Sequence, residues 1–154
     1  MDWAHLFFAF NGRIGRNKYW LAVFVCAVIY LVLYIVAHLT ESAALGALSG
    51  MITIVLFISL LAIGTKRLHD RNKSGWYLVL FYIVPGILLT ACLVIGTVIE
   101  DSLVIAGVLG LAAFGFVIWT FVEMGCLQGT AGPNQYGPDP LAPAALPPPA
   151  RTPA

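Results

Sequence analysis

The sequence predicts an all-α polytopic membrane protein with four transmembrane helices, and three observations carry that reading. Hydrophobic residues make up 60% of the 154 positions and charged residues only 10%, against about 45–50% and about 25% in soluble domains. Four apolar stretches, 19–39, 43–64, 76–98 and 103–122, are each long enough for a hydrocarbon core that takes about 20 helical residues. They are apolar on every face, whereas transmembrane strands alternate polar and apolar positions, so helices are implied and a barrel is not. The third observation is charge segregation. Arg13, Arg16 and Lys18 precede the first stretch, Lys66, Arg67, Arg71 and Lys73 separate the second from the third, and Arg151 follows the fourth. The two remaining loops carry only Glu41, Glu100 and Asp101. Basic residues in short loops set orientation, so both termini are expected in the cytoplasm.

Before the first span, Trp3, Leu6, Phe7 and Phe10 recur at helical spacing and Asn11-Gly12 follows as a stop, which predicts a short helix lying in the membrane interface. The first apolar run exceeds the core of a signal peptide and is expected to remain as a span. In the second span Ser42, Gly46 and Gly50 fall at four-residue intervals, a small-residue pattern that predicts close helix packing within the chain. Pro85-Gly86 is expected to kink the third span near its middle. The two-residue turn Glu100-Asp101 forces the third and fourth spans into a hairpin, with Ala106, Gly107, Gly110 and Ala113 facing the third. Cys26, Cys92 and Cys126 show no paired spacing and read as buried thiols. Residues 1–140 are expected to form a single membrane domain. Residues 141–154, rich in Pro and Ala, are expected to be a disordered tail.

The polar residues concentrate in three motifs on the basic side: Phe10-Asn11-Gly12-Arg13-Ile14-Gly15-Arg16-Asn17-Lys18-Tyr19-Trp20, Lys66-Arg67-Leu68-His69-Asp70-Arg71-Asn72-Lys73-Ser74-Gly75-Trp76, and Asn134-Gln135-Tyr136-Gly137-Pro138-Asp139-Pro140. Together they resemble the bacterial inner-membrane family known as domain of unknown function 805, over roughly residues 8–140. That resemblance implies a small polytopic protein of the bacterial inner (plasma) membrane and supplies no reaction. Gln128 stands where the family pattern has proline.

If the central cluster continues the second helix, Arg67 and Asp70 are i, i+3 partners, Lys66 and Asp70 are i, i+4 partners, and Arg67 and Arg71 share a face. Arg13, Arg16, Arg67 and Arg71 then offer guanidinium forks suited to phosphate, with His69, Asp70, Ser74, Trp76, Asn134 and Tyr136 completing a surface for an anion or a partner. Lipid headgroups are the nearest phosphates. Glu123, an acid at the inner end of a membrane helix, requires a cation, and Lys66 or Arg67 is nearest in depth. The alternatives are a small transporter or channel subunit, and motifs that serve only orientation and packing. His69, Asp70 and Ser74 include triad-like residue types, but their closeness in sequence does not provide a relay. No enzyme activity, metal or cofactor is expected. The expected partners are membrane lipids, together with a membrane protein or a second copy, and no nucleic acid.

Overall fold

The computed structural model describes residues 2–40, 42–99 and 101–142. Helix α1, Trp3–Phe8, starts where the Asp2 carboxylate accepts a hydrogen bond from the His5 N–H at 3.1 Å, a side-chain cap that satisfies one of the orphan donors of a first turn. Its Leu6 is buried while Trp3, Phe8 and Phe10 remain exposed. The spans follow as α2, Arg16–Thr40, and α3, Ala43–Asp70. The third comprises a π-helical turn, Val79–Ile83, running into α4, Val84–Val98. The fourth is α5, Leu103–Thr120, running into a second π-helical turn, Phe121–Cys126.

All four segments are long and apolar enough to cross a membrane. Helix α3 outlasts its apolar stretch and carries the charged cluster as far as Asp70. It ends as the chain turns through Asn72, whose φ of 56° is a left-handed value that asparagine tolerates. Pro85 lies a little to the basic side of the middle of its span. The wide turn Val79–Ile83 ends just before it, so the proline occupies the first turn of α4, where a missing N–H costs little.

The spans pair as two hairpins. α2 lies along α3 around buried Ala22, Cys26 and Ile63, and α4 lies along α5. There Ala106 and Gly110 meet the third span as expected, a Cβ on Gly96 lying 3.3 Å from Ala106 and one on Gly110 lying 3.4 Å from Cys92 Sγ, whereas no atom lies within 4 Å of a Cβ on Gly107. The main contacts between the hairpins run through the second π-helical turn, Phe121–Cys126, which meets α2 and α3 at the basic end. Accordingly the apolar core, including Leu6, Ile14, Tyr19, Leu68, Leu78, Phe81 and Met124, gathers there. Gly46 and Gly50 depart from expectation, because no atom lies within 4 Å of a Cβ on either. The buried residues of the α2–α3 pair, among them Tyr19, Ala22, Cys26, Ala62 and Ile63, lie toward the basic end instead. The thiols also differ in depth, Cys26 being buried, Cys92 half-buried and Cys126 exposed. Of the expected tail only Leu141 and Ala142 are described; residues 143–154, with Arg151, lie outside the described residues.

Candidate functional site

A helix leaves its last four carbonyls without intrahelical donors, and the fourth span ends against side chains of α2 and α3, with Met124 and Gly125 buried and Cys126 exposed. Five consecutive carbonyls there, Met124 to Gln128, are each met by a side chain from α2 or from the end of α3. Arg67 Nε donates to Met124 O at 2.7 Å and its Nη2 to Leu127 O. Trp20 Nε1 donates to Gly125 O at 3.2 Å, Arg16 Nη1 to Cys126 O at 2.9 Å, and Arg71 Nη1 to Gln128 O at 2.6 Å. Cations at a helix C-terminus also oppose its negative dipole end. Gly125 allows the Trp20 indole to lie against the turn, since a Cβ would overlap the ring.

Asp70 stands at the centre of this socket. Its Oδ2 accepts from Arg67 Nη1 at 2.6 Å, realising the i, i+3 spacing, and its Oδ1 accepts from Arg13 Nε at 3.2 Å and Nη2 at 3.1 Å. The side chains of Arg13, Arg67 and Asp70 are 1%, 0% and 4% exposed. A buried group of two cations and one anion keeps a charge of +1, which main-chain carbonyls oppose: Arg13 also donates to Gly132 O at 2.7 Å, Gly137 O at 3.3 Å and Thr130 O at 2.6 Å. Charge-assisted bonds of this kind are about twice as strong as neutral ones. Asp70 also uses its carbonyl, which accepts from Thr130 N at 2.8 Å and Thr130 Oγ1 at 3.0 Å. Gly129 packs on the carboxylate so closely that any Cβ would overlap it.

The three motifs therefore interlock. Asn134 donates to His69 O and to Thr130 Oγ1, each at 2.9 Å, and its own Oδ1 accepts from Tyr136 N at 2.9 Å. Tyr136 stacks on His69 with centroids 3.8 Å apart, while His69 Nδ1 lies 3.2 Å from Gly12 O. Gly12, Gly132 and Gly137 hold φ of 87°, 74° and 134°, values that only glycine adopts without strain. Asp139 closes the last turn. The Leu141 and Gly132 N–H groups bond its carboxylate and hold it below the usual carboxylate range.

Several sequence expectations are redirected by this geometry. Lys66, fully buried, does not reach Asp70 or Glu123; its Nζ donates to His5 O at 2.6 Å and Leu6 O at 2.5 Å, at the carbonyl end of α1. Glu123 pairs with Arg71 at 3.0 Å and Lys73 at 2.8 Å, not with Lys66 or Arg67. The reason is competition, since Lys66 and Arg67 point inward and are saturated by carbonyls and Asp70. For the same reason Arg13, Arg16, Arg67 and Arg71 do not converge on one open site. Ser74 and Trp76 stay outside the cluster: Ser74 Oγ accepts from Trp76 N at 3.4 Å, and Trp76 is 81% exposed. The residues that sequence reasoning passed over are Thr130, Trp20, Gly125 and Gly129, the last two betrayed only by being glycine.

Every buried side-chain polar atom among the described residues has a partner. The arrangement defines a class: a four-span integral membrane protein whose loop, N-terminal segment and C-terminal turn are locked into one polar clasp. The chain belongs to the family described as "Protein of unknown function (DUF805)", whose model matches residues 7–138. It is similar to the inner membrane protein YhaI of Escherichia coli K12, 28% identical over 132 residues that cover 85% of each chain. It also resembles YhaH of the same organism, 25% identical over 148 residues, covering 91% of this chain and 97% of the relative. A third relative, the uncharacterized protein YiiR, is 30% identical over 139 residues and 86% of each chain. No solved structure matches the chain at a significant level.

Replacing Asp70 leaves two buried guanidinium groups without an anion, a change that costs about 3–5 kcal/mol in comparable pairs. Glu123 serves two cations that are 23% and 29% exposed and can turn to water, so its loss should cost about 1 kcal/mol. In reversible detergent unfolding, Asp70→Asn is expected to be several kcal/mol less stable than Glu123→Gln. Equal losses would contradict the assignment of Asp70 as the centre.

Proposed function

We propose that residues 1–140 act as one membrane domain with both termini in the cytoplasm, and that its clasped face binds anionic lipid headgroups through rim cations. The central arginines are not the ligands in this reading. The observation that carries it is the division of charge: Arg13 and Arg67 are turned inward, whereas Lys18 is exposed and Arg71 and Lys73 share the single carboxylate of Glu123. Net positive charge is thus left at the rim, where each cation near an anionic surface contributes about 1 kcal/mol. Exposed Trp3, Phe8, Phe10 and Trp76 lie at the same end and suit the headgroup layer, where aromatic side chains with a polar edge collect.

A transporter is less well supported. A transporter needs a polar path through the spans, and five hydroxyls there bond their own helices: Thr53 to Ser49 O, Ser59 to Val55 O, Thr90 to Gly86 O, Thr97 to Leu93 O and Thr120 to Phe116 O. A binding role also agrees better than catalysis with the state of the triad-like residues. Both Asp70 oxygens are taken by arginines, His69 is stacked on Tyr136, and Ser74 Oγ accepts from Trp76 N.

Two experiments test the reading. Cysteines introduced as Ser42→Cys and Leu103→Cys in intact cells should react with a membrane-impermeant maleimide, and Ser74→Cys should react only after lysis; the reverse pattern overturns the orientation. Protein purified with equimolar phosphatidylglycerol and phosphatidylethanolamine should retain an excess of phosphatidylglycerol by native mass spectrometry. That excess should fall toward parity in the Arg16→Gln, Lys18→Gln, Lys73→Gln triple variant. An undiminished excess in the triple variant rejects the rim cations as the headgroup contact.

A further inference from the structure

We infer that the opening between the two hairpins holds one acyl chain of a phospholipid whose phosphate lies against Arg16. The hairpins meet at the basic end, and immediately beyond that contact α2, α4 and α5 leave a cleft of 410 Å³ walled by Trp20, Tyr82, Gly86, Val117 and Phe121. Sharing Tyr82 and Gly86, it continues into a groove of 690 Å³ along α4 as far as Ile95. From Tyr82 to Ile95 the helix rises roughly 20 Å at about 1.5 Å per residue, which exceeds one leaflet's half of the ~30 Å hydrocarbon core. The groove is floored by a small residue, because no atom lies within 4 Å of a Cβ on Gly86. Its two hydroxyls have partners, Thr90 Oγ1 donating to Gly86 O at 2.9 Å and the Tyr82 hydroxyl bonding that of Tyr19. Beyond the cleft the lining is a mainly apolar face of the third span alone, and the dispersion contacts its open side lacks are those a hydrocarbon chain supplies.

Charge at the mouth selects the occupant. Arg16 is one helical turn before Trp20 on α2, and only its Nη1 is engaged, on Cys126 O. Among the described residues no hydrogen bond takes its Nε or Nη2, so a guanidinium edge remains available to a phosphate at the depth where the cleft begins, with exposed Lys18 beside it. A second copy entering the cleft in the same orientation carries the same cations to the same depth and meets like charge; a phospholipid brings the complementary sign. The headgroup half of this inference rests on the rim-cation reading, whereas the acyl half rests on the cleft alone.

The test is native mass spectrometry of the full chain purified with phosphatidylglycerol and phosphatidylethanolamine. The parent should retain one phospholipid through detergent stripping. Gly86→Phe and Thr90→Phe, which place a ring in the groove, should each lower retention about tenfold. Leu111→Phe, on the exposed surface of α5, should match the parent. Retention unchanged in both groove variants overturns the inference, as does a parent dimer that either variant converts to monomer, which assigns the cleft to a second copy. Loss of headgroup preference in Arg16→Gln with retention intact leaves the acyl site standing and counts for the phosphate contact; unchanged preference there overturns that contact.

Discussion

Five successive main-chain carbonyls at the end of the fourth span, Met124 to Gln128, are each met by a side-chain donor, and much of the basic end of this protein follows from how they are met. In hydrocarbon an unsatisfied backbone group costs several kcal/mol. Short neutral side chains on neighbouring helices cannot reach five successive carbonyls that project in different directions. Arginine can, because its planar fork donates from several nitrogens, and Arg67 alone takes two of the five while also holding Asp70. Once arginines are committed to the helix end they require an anion, and Asp70 is that anion. Once Asp70 carries Arg67, its second oxygen draws in Arg13 from the N-terminal segment, and Arg13 in turn binds the carbonyls of the last turn.

This sequence of dependencies explains how glycine and charge are distributed. Gly125 and Gly129 stand where the backbone must press against Trp20 and Asp70. Gly12, Gly132 and Gly137 stand where the entering and leaving strands of chain turn through positive φ. Toward the opposite end the helices diverge as two hairpins, and the demands there are only apolar exposure and small-residue contact between α4 and α5. The result is a molecule fastened at one end and open at the other, which leaves lipid to cover much of its helical surface.

The spans were legible because twenty apolar residues have one reading in a bilayer, and the third–fourth hairpin because a two-residue turn leaves no other path. The coupling of Arg67 to Asp70 was legible because it is local, three residues apart on one helix. That Glu123 needs a cation was also legible, but its partner was not: depth pointed to Lys66 and Arg67, and these were withdrawn by backbone carbonyls of α1 and of the segment after residue 123. Carbonyl acceptors carry no residue signature, so a sequence cannot announce them. The π-helical turns were hidden for a similar reason. Each adds a residue to a helical turn, redirecting Phe81 and Glu123 without any change in hydropathy.

The central claim is that Arg13 and Asp70, 57 residues apart in sequence, form a coupled buried unit rather than two separate polar contacts. A double-mutant cycle of Arg13→Gln and Asp70→Asn, read by reversible unfolding in detergent, measures that coupling directly. The account predicts that the double variant loses less than the sum of the single ones by about 2–3 kcal/mol. Additivity within about 0.5 kcal/mol would contradict it.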